Sequence, residues 1–454
     1  MLNFTKVDRN NPSKRGVMER IKDFREVYNV FDKNKAEEQA ERCIGCGDPY
    51  CHNKCPLHNM IPSWLKETAT KDIELAFNIS NETSPFPEIL GRICPQDVLC
   101  EGDCTLNDTH GAITIGAVET HISETGFDKG LKPKFATSKI GKKVAVVGSG
   151  PAGISAATFL LRAGVNVDMY ERANTAGGLL TYGIPGFKLE KHRVKRRMDF
   201  LIEAGMNLYT NCEIGKDKSF DELINNYDAV FLGIGATKGK KPGIDGENNE
   251  NVFLAMEFLT AIQKRNFNEE VEDFIDVADK NVVVIGGGDT AMDCVRTSVR
   301  EGAKSVKCLY RRDEANMPGS KKEVVNSKEE GVEFIFNVSP KSIESNGVNV
   351  IKTQMSEPDN SGRQSVKEIE GSEYLEDADI IILALGFDQE LPSFITESNL
   401  ELDKWNGIKT NTDYQTSNEK IYAGGDGVRG ADLAVTAAAD GKGAAKAIVE
   451  SFNK

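Results

Sequence analysis

The chain has 454 residues, 39% of them hydrophobic and 28% charged, with a formal net charge of −14. That length exceeds one ordinary core and points to roughly three domains, while the composition fits neither a disordered segment nor a membrane protein: no window approaches the ~20 apolar residues needed to span a bilayer. The negative balance disfavours a phosphate backbone, and no basic stripe with interleaved aromatics supports a nucleic-acid partner.

The N-terminal stretch Met1 to Asp8 lacks the apolar core of a secretory signal, so a cytoplasmic protein is expected. Residues 1–137 read as helical segments broken by cysteine loops, for example from Ile61 to Ile79, with Pro56, Pro62, Pro85, Pro87 and Pro95 as punctuation. The segment from Thr125 to Gly141, rich in Lys, Gly, Pro and Ser, reads as a linker. After it, Lys142 to Gly148 is a short apolar run ending in glycine, as in a buried parallel strand feeding a phosphate-binding turn, and Asn281 to Gly286 repeats the pattern. Each run is followed by a helix-compatible stretch and a second apolar strand, Val165 to Tyr170 and Ser305 to Tyr310, so two βαβ nucleotide folds are expected. The strand-to-turn segments beginning at Ala229 and Asp379 mark crossings between them.

Seven of the ten cysteines fall between Cys43 and Cys104. Their spacing is Cys43-x2-Cys46-x4-Cys51-x3-Cys55-Pro56 and Cys94-Pro95-x4-Cys100-x3-Cys104. Clustered thiolates in a long chain from a reducing compartment point to metal, and soft thiolates suit iron–sulfur clusters or zinc. Cys-Pro endings are a ferredoxin-like feature, whereas structural zinc would take four thiols and leave three. Two cubanes need eight ligands, so with seven cysteines one ligand must be another residue. His52, His58 and His110 lie nearby and read as ordinary surface or capping histidines.

The first nucleotide motif is Gly148-Ser-Gly150-Pro-Ala-Gly153, followed after a second strand by Glu171. Its glycines permit a tight turn, backbone approach to a pyrophosphate and helix-on-strand packing, and the acid suits a ribose hydroxyl. The second is Gly286-Gly-Gly288-Asp-Thr-Ala291, but Arg311 and Arg312 stand where an NAD-binding fold offers an acid. Arginines there suit the 2′-phosphate of NADPH; the alternative is that they pair with Asp313 and Glu314 in a solvated loop. Near the C-terminus, Ile421 to Asp426 ends another strand in glycines, and the small-residue helix starting at Ala434 could aim its N-terminus at a flavin. The second nucleotide fold has no Cys-x-x-Cys, since Cys294 and Cys308 are far apart, so disulfide-reductase chemistry is not supported. Hydride transfer to a flavin needs positioning, and no proton-transfer residue is named.

The stretches Cys43 to Cys51, Cys100 to Asp108, Gly186-Phe-Lys-Leu-Glu-Lys191, Gly286 to Arg296 and Tyr310 to Glu314 together resemble the small subunits of bacterial NADPH-dependent glutamate synthases, and are similar to the cluster-bearing half of dihydropyrimidine dehydrogenase. The resemblance implies a multidomain α/β fold: an N-terminal helical iron–sulfur domain (1–137), a discontinuous FAD domain (138–257 and 386–454) and an NADPH domain (258–385), the last two Rossmann-like and related to adrenodoxin reductase. It implies two [4Fe-4S] clusters, one on Cys43, Cys46, Cys51 and Cys104, the other on Cys55, Cys94, Cys100 and Glu119. Gly148, Gly150, Gly153, Glu171, Gly178 and Asp426 would contact FAD, with Gly427 a small departure from the family pattern; Gly286, Gly288, Ala291, Arg311 and Arg312 would serve NADPH. The implied activity is electron input to a large FMN- and iron–sulfur-containing subunit that makes glutamate from glutamine and 2-oxoglutarate, with no membrane or nucleic-acid partner. A flavin and iron–sulfur subunit serving ferredoxin or transhydrogenation is the nearest alternative enzyme, and a zinc-stapled nucleotide-sensing adaptor the alternative of another class.

Overall fold

The computed structural model describes residues 3–357, 364–389 and 391–453; Met1 and Leu2 lie outside them. The N-terminal part is helical, with its longer helices at Lys33–Ala40, Ile61–Ala69, Ile73–Thr83 and Ile115–Asp128. Their apolar faces meet around Trp64, Phe77, Val118 and Ile122, and the cysteine loops pack against this core. The stretch from Ile61 is two helices, because Lys71 turns the chain at φ 71° and Asp72 caps the next helix by accepting from the Leu75 N–H at 3.0 Å. Thr125 to Asp128, expected in the linker, are still helical. Gly126 there lies so close to Phe77 that a Cβ would stand 2.2 Å from the ring.

Two parallel five-stranded sheets follow. The first has the order Ile421–Ala423, Ala229–Leu232, Lys143–Val147, Asn166–Tyr170, Asn207–Tyr209. The second runs Val252–Leu254, Ile380–Leu383, Asn281–Ile285, Ser305–Tyr310, Glu333–Phe336. Both are covered on their two faces, which is why Val144–Val147 and Val282–Ile285 are unbroken apolar runs, buried throughout. In each sheet the strand order reverses at the strand that enters the glycine turn, the position where open α/β sheets bind ligands.

The crossings between sheets leave from Ala229–Leu232 and Ile380–Leu383, and the connecting strands Lys238–Gly239 and Phe387–Asp388 pair with each other antiparallel. Val252–Leu254 precedes the expected boundary at 257, yet it pairs with Ile380–Leu383 in the second sheet. A small antiparallel sheet centred on Gly347–Met355 was not expected; it shares a core with the second sheet through Val338, Val350, Val283 and Ile381. The N-terminal part is fastened to both sheet units. Leu57, Phe86, Ile89 and Leu90 enter the core of the first, and buried Arg20 donates to Glu330 of the second at 2.8 Å. Among the described residues no helix is long and apolar enough to cross a membrane.

Candidate functional site

All ten cysteines are free, and the seven N-terminal ones divide between two cavities. Cys43, Cys46, Cys51 and Cys104 line one, walled by Leu65, Leu106, Ile113 and Ile115. Cys55, Cys94, Cys100 and Glu119 line the other, with Asn59, Gln96 and Val435. Among the described residues no three His, Cys, Asp or Glu side chains converge on a point fit for a single ion; the thiols ring a space.

Burial pushes the Cys43 thiol up and the Cys51 thiol to about 12. It likewise raises Cys55, and takes Cys94 and Cys100 well above the usual thiol range. The Glu119 carboxyl is driven up to about 8 by burial, against one hydrogen bond from Asn59 Nδ2 at 2.7 Å. Asn59 is itself held by Trp64 Nε1 at 3.2 Å and Thr83 Oγ1 at 2.9 Å. Glu119 has no ion-pair partner among the described residues. Thiols and a carboxyl desolvated in this way suit a positively charged guest, which would turn them into anionic ligands.

The first nucleotide turn joins Lys143–Val147 to the helix Pro151–Arg162. Gly148 has φ 94°, and a Cβ on Gly153 would stand 1.9 Å from the Gly148 carbonyl oxygen, so strand and helix approach as only glycine allows. A Cβ on Gly150 would meet no protein atom within 4 Å: the helix N-terminus is left open, with its N–H groups free for a pyrophosphate. Gly178 lies across from it, where a Cβ would come 2.9 Å from Gly150 Cα. Glu171 holds the turn by accepting from Ser149 N at 3.0 Å and Ser149 Oγ at 2.5 Å. Asp426 opens the short helix Asp426–Arg429, beside the same turn: a Cβ on the adjacent Gly425 would lie 3.1 Å from the Ala152 methyl. Burial, with Asp432 and Asp440 nearby, pushes the Asp426 carboxyl up to about 7.

At the second turn, a Cβ on Gly286 would stand 2.3 Å from the Ala384 carbonyl, whereas one on Gly288 would meet nothing within 4 Å. Ala291 is fully buried in the helix Asp289–Arg300. Arg311 and Arg312 follow the adjacent strand, and neither pairs with its acidic neighbours. Asp313 accepts from Asn316 N at 2.9 Å, and Glu314 lies 2.7 Å from Lys328. Arg312 Nε and Ser320 Oγ are buried without a hydrogen-bond partner, unsatisfied polar atoms that a bound phosphate would complete.

Sequence reasoning missed the charged residues that join these sites. Lys188 Nζ lies 2.9 Å from Asp293 Oδ1 in the second unit. Lys191 donates to the carbonyls of Leu180 and Ile184, and burial pushes it down to about 7. The only signal was their position in the stretch Gly186 to Lys191, where Lys188 lies between the buried Phe187 and Leu189.

Residues 20–131 match the family model described as dihydropyrimidine dehydrogenase domain II, 4Fe-4S cluster, and residues 142–441 match that of pyridine nucleotide-disulphide oxidoreductases. The chain is 46% identical to the glutamate synthase [NADPH] small chain of Escherichia coli K12, covering 98% of each protein. It is also 46% identical to the putative oxidoreductase AegA of the same organism, over 97% of this chain and 69% of that one. Among solved structures, Mycobacterium tuberculosis FprA in complex with NADPH superposes with a TM-score of 0.60 at 20% identity, over 69% of this chain and 84% of that chain, a likeness of fold. With helical and two-sheet parts both matched and identity sustained end to end, the chain belongs to the family of glutamate synthase [NADPH] small chains.

Proposed function

We propose that this chain is the electron-input subunit of a glutamate synthase: it oxidises NADPH through FAD and passes electrons by way of two [4Fe-4S] clusters to a large subunit that makes glutamate from glutamine and 2-oxoglutarate. The observation that carries this reading is the grouping of eight side chains around two cavities in the same chain as two glycine turns at sheet switch points. When bound, FAD accepts a hydride and the clusters carry single electrons, which makes the assembly a two-to-one electron converter.

The chain's own residues bind and orient. Gly148, Gly150, Gly153 and Gly178 would seat the FAD pyrophosphate, Glu171 would serve its ribose, and Asp426 would contact the flavin. Gly286, Gly288 and Ala291 form the NADPH turn, with Arg311 and Arg312 on the 2′-phosphate. The domain limits 1–137, 138–257 with 386–454, and 258–385 are part of this proposal, with Val252–Leu254 better counted in the NADPH unit. Val435, in the first turn of the helix Ala434–Ser451 on the flavin side, also lines the cavity of Cys55, Cys94, Cys100 and Glu119. We therefore assign that cavity to electron input and the cavity of Cys43, Cys46, Cys51 and Cys104, beside exposed Tyr50, to electron exit.

The test is a steady-state assay of separate and mixed subunits. This chain alone should oxidise NADPH with artificial acceptors and make no glutamate; adding the large subunit should couple the two. Glutamate formation by this chain alone, or failure of the purified pair to couple, would overturn the reading. The equal identity to AegA supports a second reading, delivery to another acceptor, which co-purification of a different partner would favour.

A further inference from the structure

The cavity of Cys55, Cys94, Cys100 and Glu119 receives a cation from each nucleotide-binding unit. Lys442, on the helix Ala434–Ser451, donates to the carbonyls of Leu57 at 3.0 Å and Thr83 at 3.2 Å, and Leu57 lines the cavity. Lys322, on the helix Lys321–Glu329 of the second unit, lies 3.2 Å from Oε1 of Gln96, another lining residue, and 3.4 Å from the Arg92 carbonyl. Neither lysine has an ion-pair partner among the described residues. The nearby carboxylates are Glu119 itself and three buried ones already paired: Glu101 with Arg9, Glu88 with Arg197, and Glu323, next to Lys322, with Arg296. The first cavity differs: the buried cation behind it is Arg42, from the N-terminal part, donating to the carbonyls of Val7, His110, Gly111 and Ala112.

We propose that Lys442 and Lys322 tune the metal centre of the second cavity, raising its reduction potential by placing positive charge from both nucleotide-binding units against it. This rests on the assignment of a cluster to that cavity. Reduction adds one electron and one unit of negative charge; no bond changes and neither lysine exchanges a proton. In a site largely shut off from water a fixed cation favours the more negative form, and net charge around a cluster is one of the factors that set its potential. The arrangement would make the electron-input centre easier to reduce without altering the exit centre.

The experiment is an anaerobic redox titration of the FAD- and iron-loaded protein, followed by low-temperature EPR and accompanied by iron analysis. Lys442→Met and Lys322→Met should each lower the one-electron reduction constant of the second centre about tenfold, ~59 mV. Lys442→Arg and Lys322→Arg should hold the wild-type value, and the first centre should not move. An unmoved second midpoint at full iron content, or equal shifts of both centres, would overturn the proposal. Because Lys442 also ties the Leu57 and Thr83 carbonyls together, Lys322→Met decides the matter should Lys442→Met lose iron. A wild-type protein with only one iron–sulfur centre would instead overturn the cluster assignment together with the tuning.

Discussion

Lys188 of the first sheet unit lies 2.9 Å from Asp293 of the second, with the two side chains only 12% and 8% exposed. Asp293 sits on the helix that begins at the Gly286–Gly288 turn, so this pair fixes one nucleotide turn relative to the other. Phe187 adds to the joint by lying under the guanidinium groups of Arg296 and Arg300, 4.3 and 4.1 Å from its ring centre. Breaking one member of a buried pair strands the other charge. Lys188→Met should therefore destabilise the protein by about 3–5 kcal/mol, and Lys188→Met with Asp293→Leu should recover most of the loss. Denaturant unfolding of the two variants checks this, and equal destabilisation by both would contradict it.

Arg311 and Arg312 should decide between NADPH and NADH. Each charge-assisted hydrogen bond contributes about 1.5–3 kcal/mol, so alanine at both positions should weaken NADPH preference by roughly a hundredfold or more. NADH oxidation should hardly change. Comparing kcat/KM for the two nucleotides is the check, and an unchanged ratio would remove both arginines from the site.

Two glycines of the first motif separate fold from binding. Gly150→Ala places its methyl where no protein atom lies within 4 Å, so stability without flavin should be preserved while FAD is lost on purification. Gly153→Ala drives a methyl into the Gly148 carbonyl at 1.9 Å, and should cost about 1–3 kcal/mol or more through forced repacking. Flavin content and apoprotein melting temperature, measured together, should move apart in the first variant and fall together in the second.

These turns were legible in the sequence because phosphate-binding glycines and buried parallel strands leave local signatures. The cysteine spacings pointed to metal for the same reason, and the structure divides the seven thiols between two cavities. What could not be read locally depends on residues distant in the chain. Glu119 lies in an otherwise ordinary helix and is singled out by Asn59, Trp64 and Thr83 behind it. Lys188 and Lys191 look like solvated lysines until Asp293 and the carbonyls of Leu180 and Ile184 are brought against them. The antiparallel sheet around Gly347–Met355 was missed because its strands carry mixed burial, although Asn346-Gly347 marks the tight turn of its first hairpin.

Lys191 gives a pH test. Burial lowers its pKa to about 7, below the ~10.4 of an unfolded lysine. The folded state thus bears the cost of a buried charge fully below pH 7, and sheds it as pH rises toward 10. Relative to Lys191→Met, the wild-type protein should gain about 2–4 kcal/mol between pH 7 and pH 10, the full linkage being discounted for partial exposure. Stability curves of the two proteins that run parallel over this interval would contradict the assignment.

The most direct test of the central claim is the iron and acid-labile sulfide content of anaerobically prepared protein, wild type beside Cys94→Ser. Two four-iron centres predict about eight irons per chain in the wild type and about four in the variant, which should still reduce its flavin with NADPH. Stoichiometric zinc with little iron or sulfide in the wild type would contradict it.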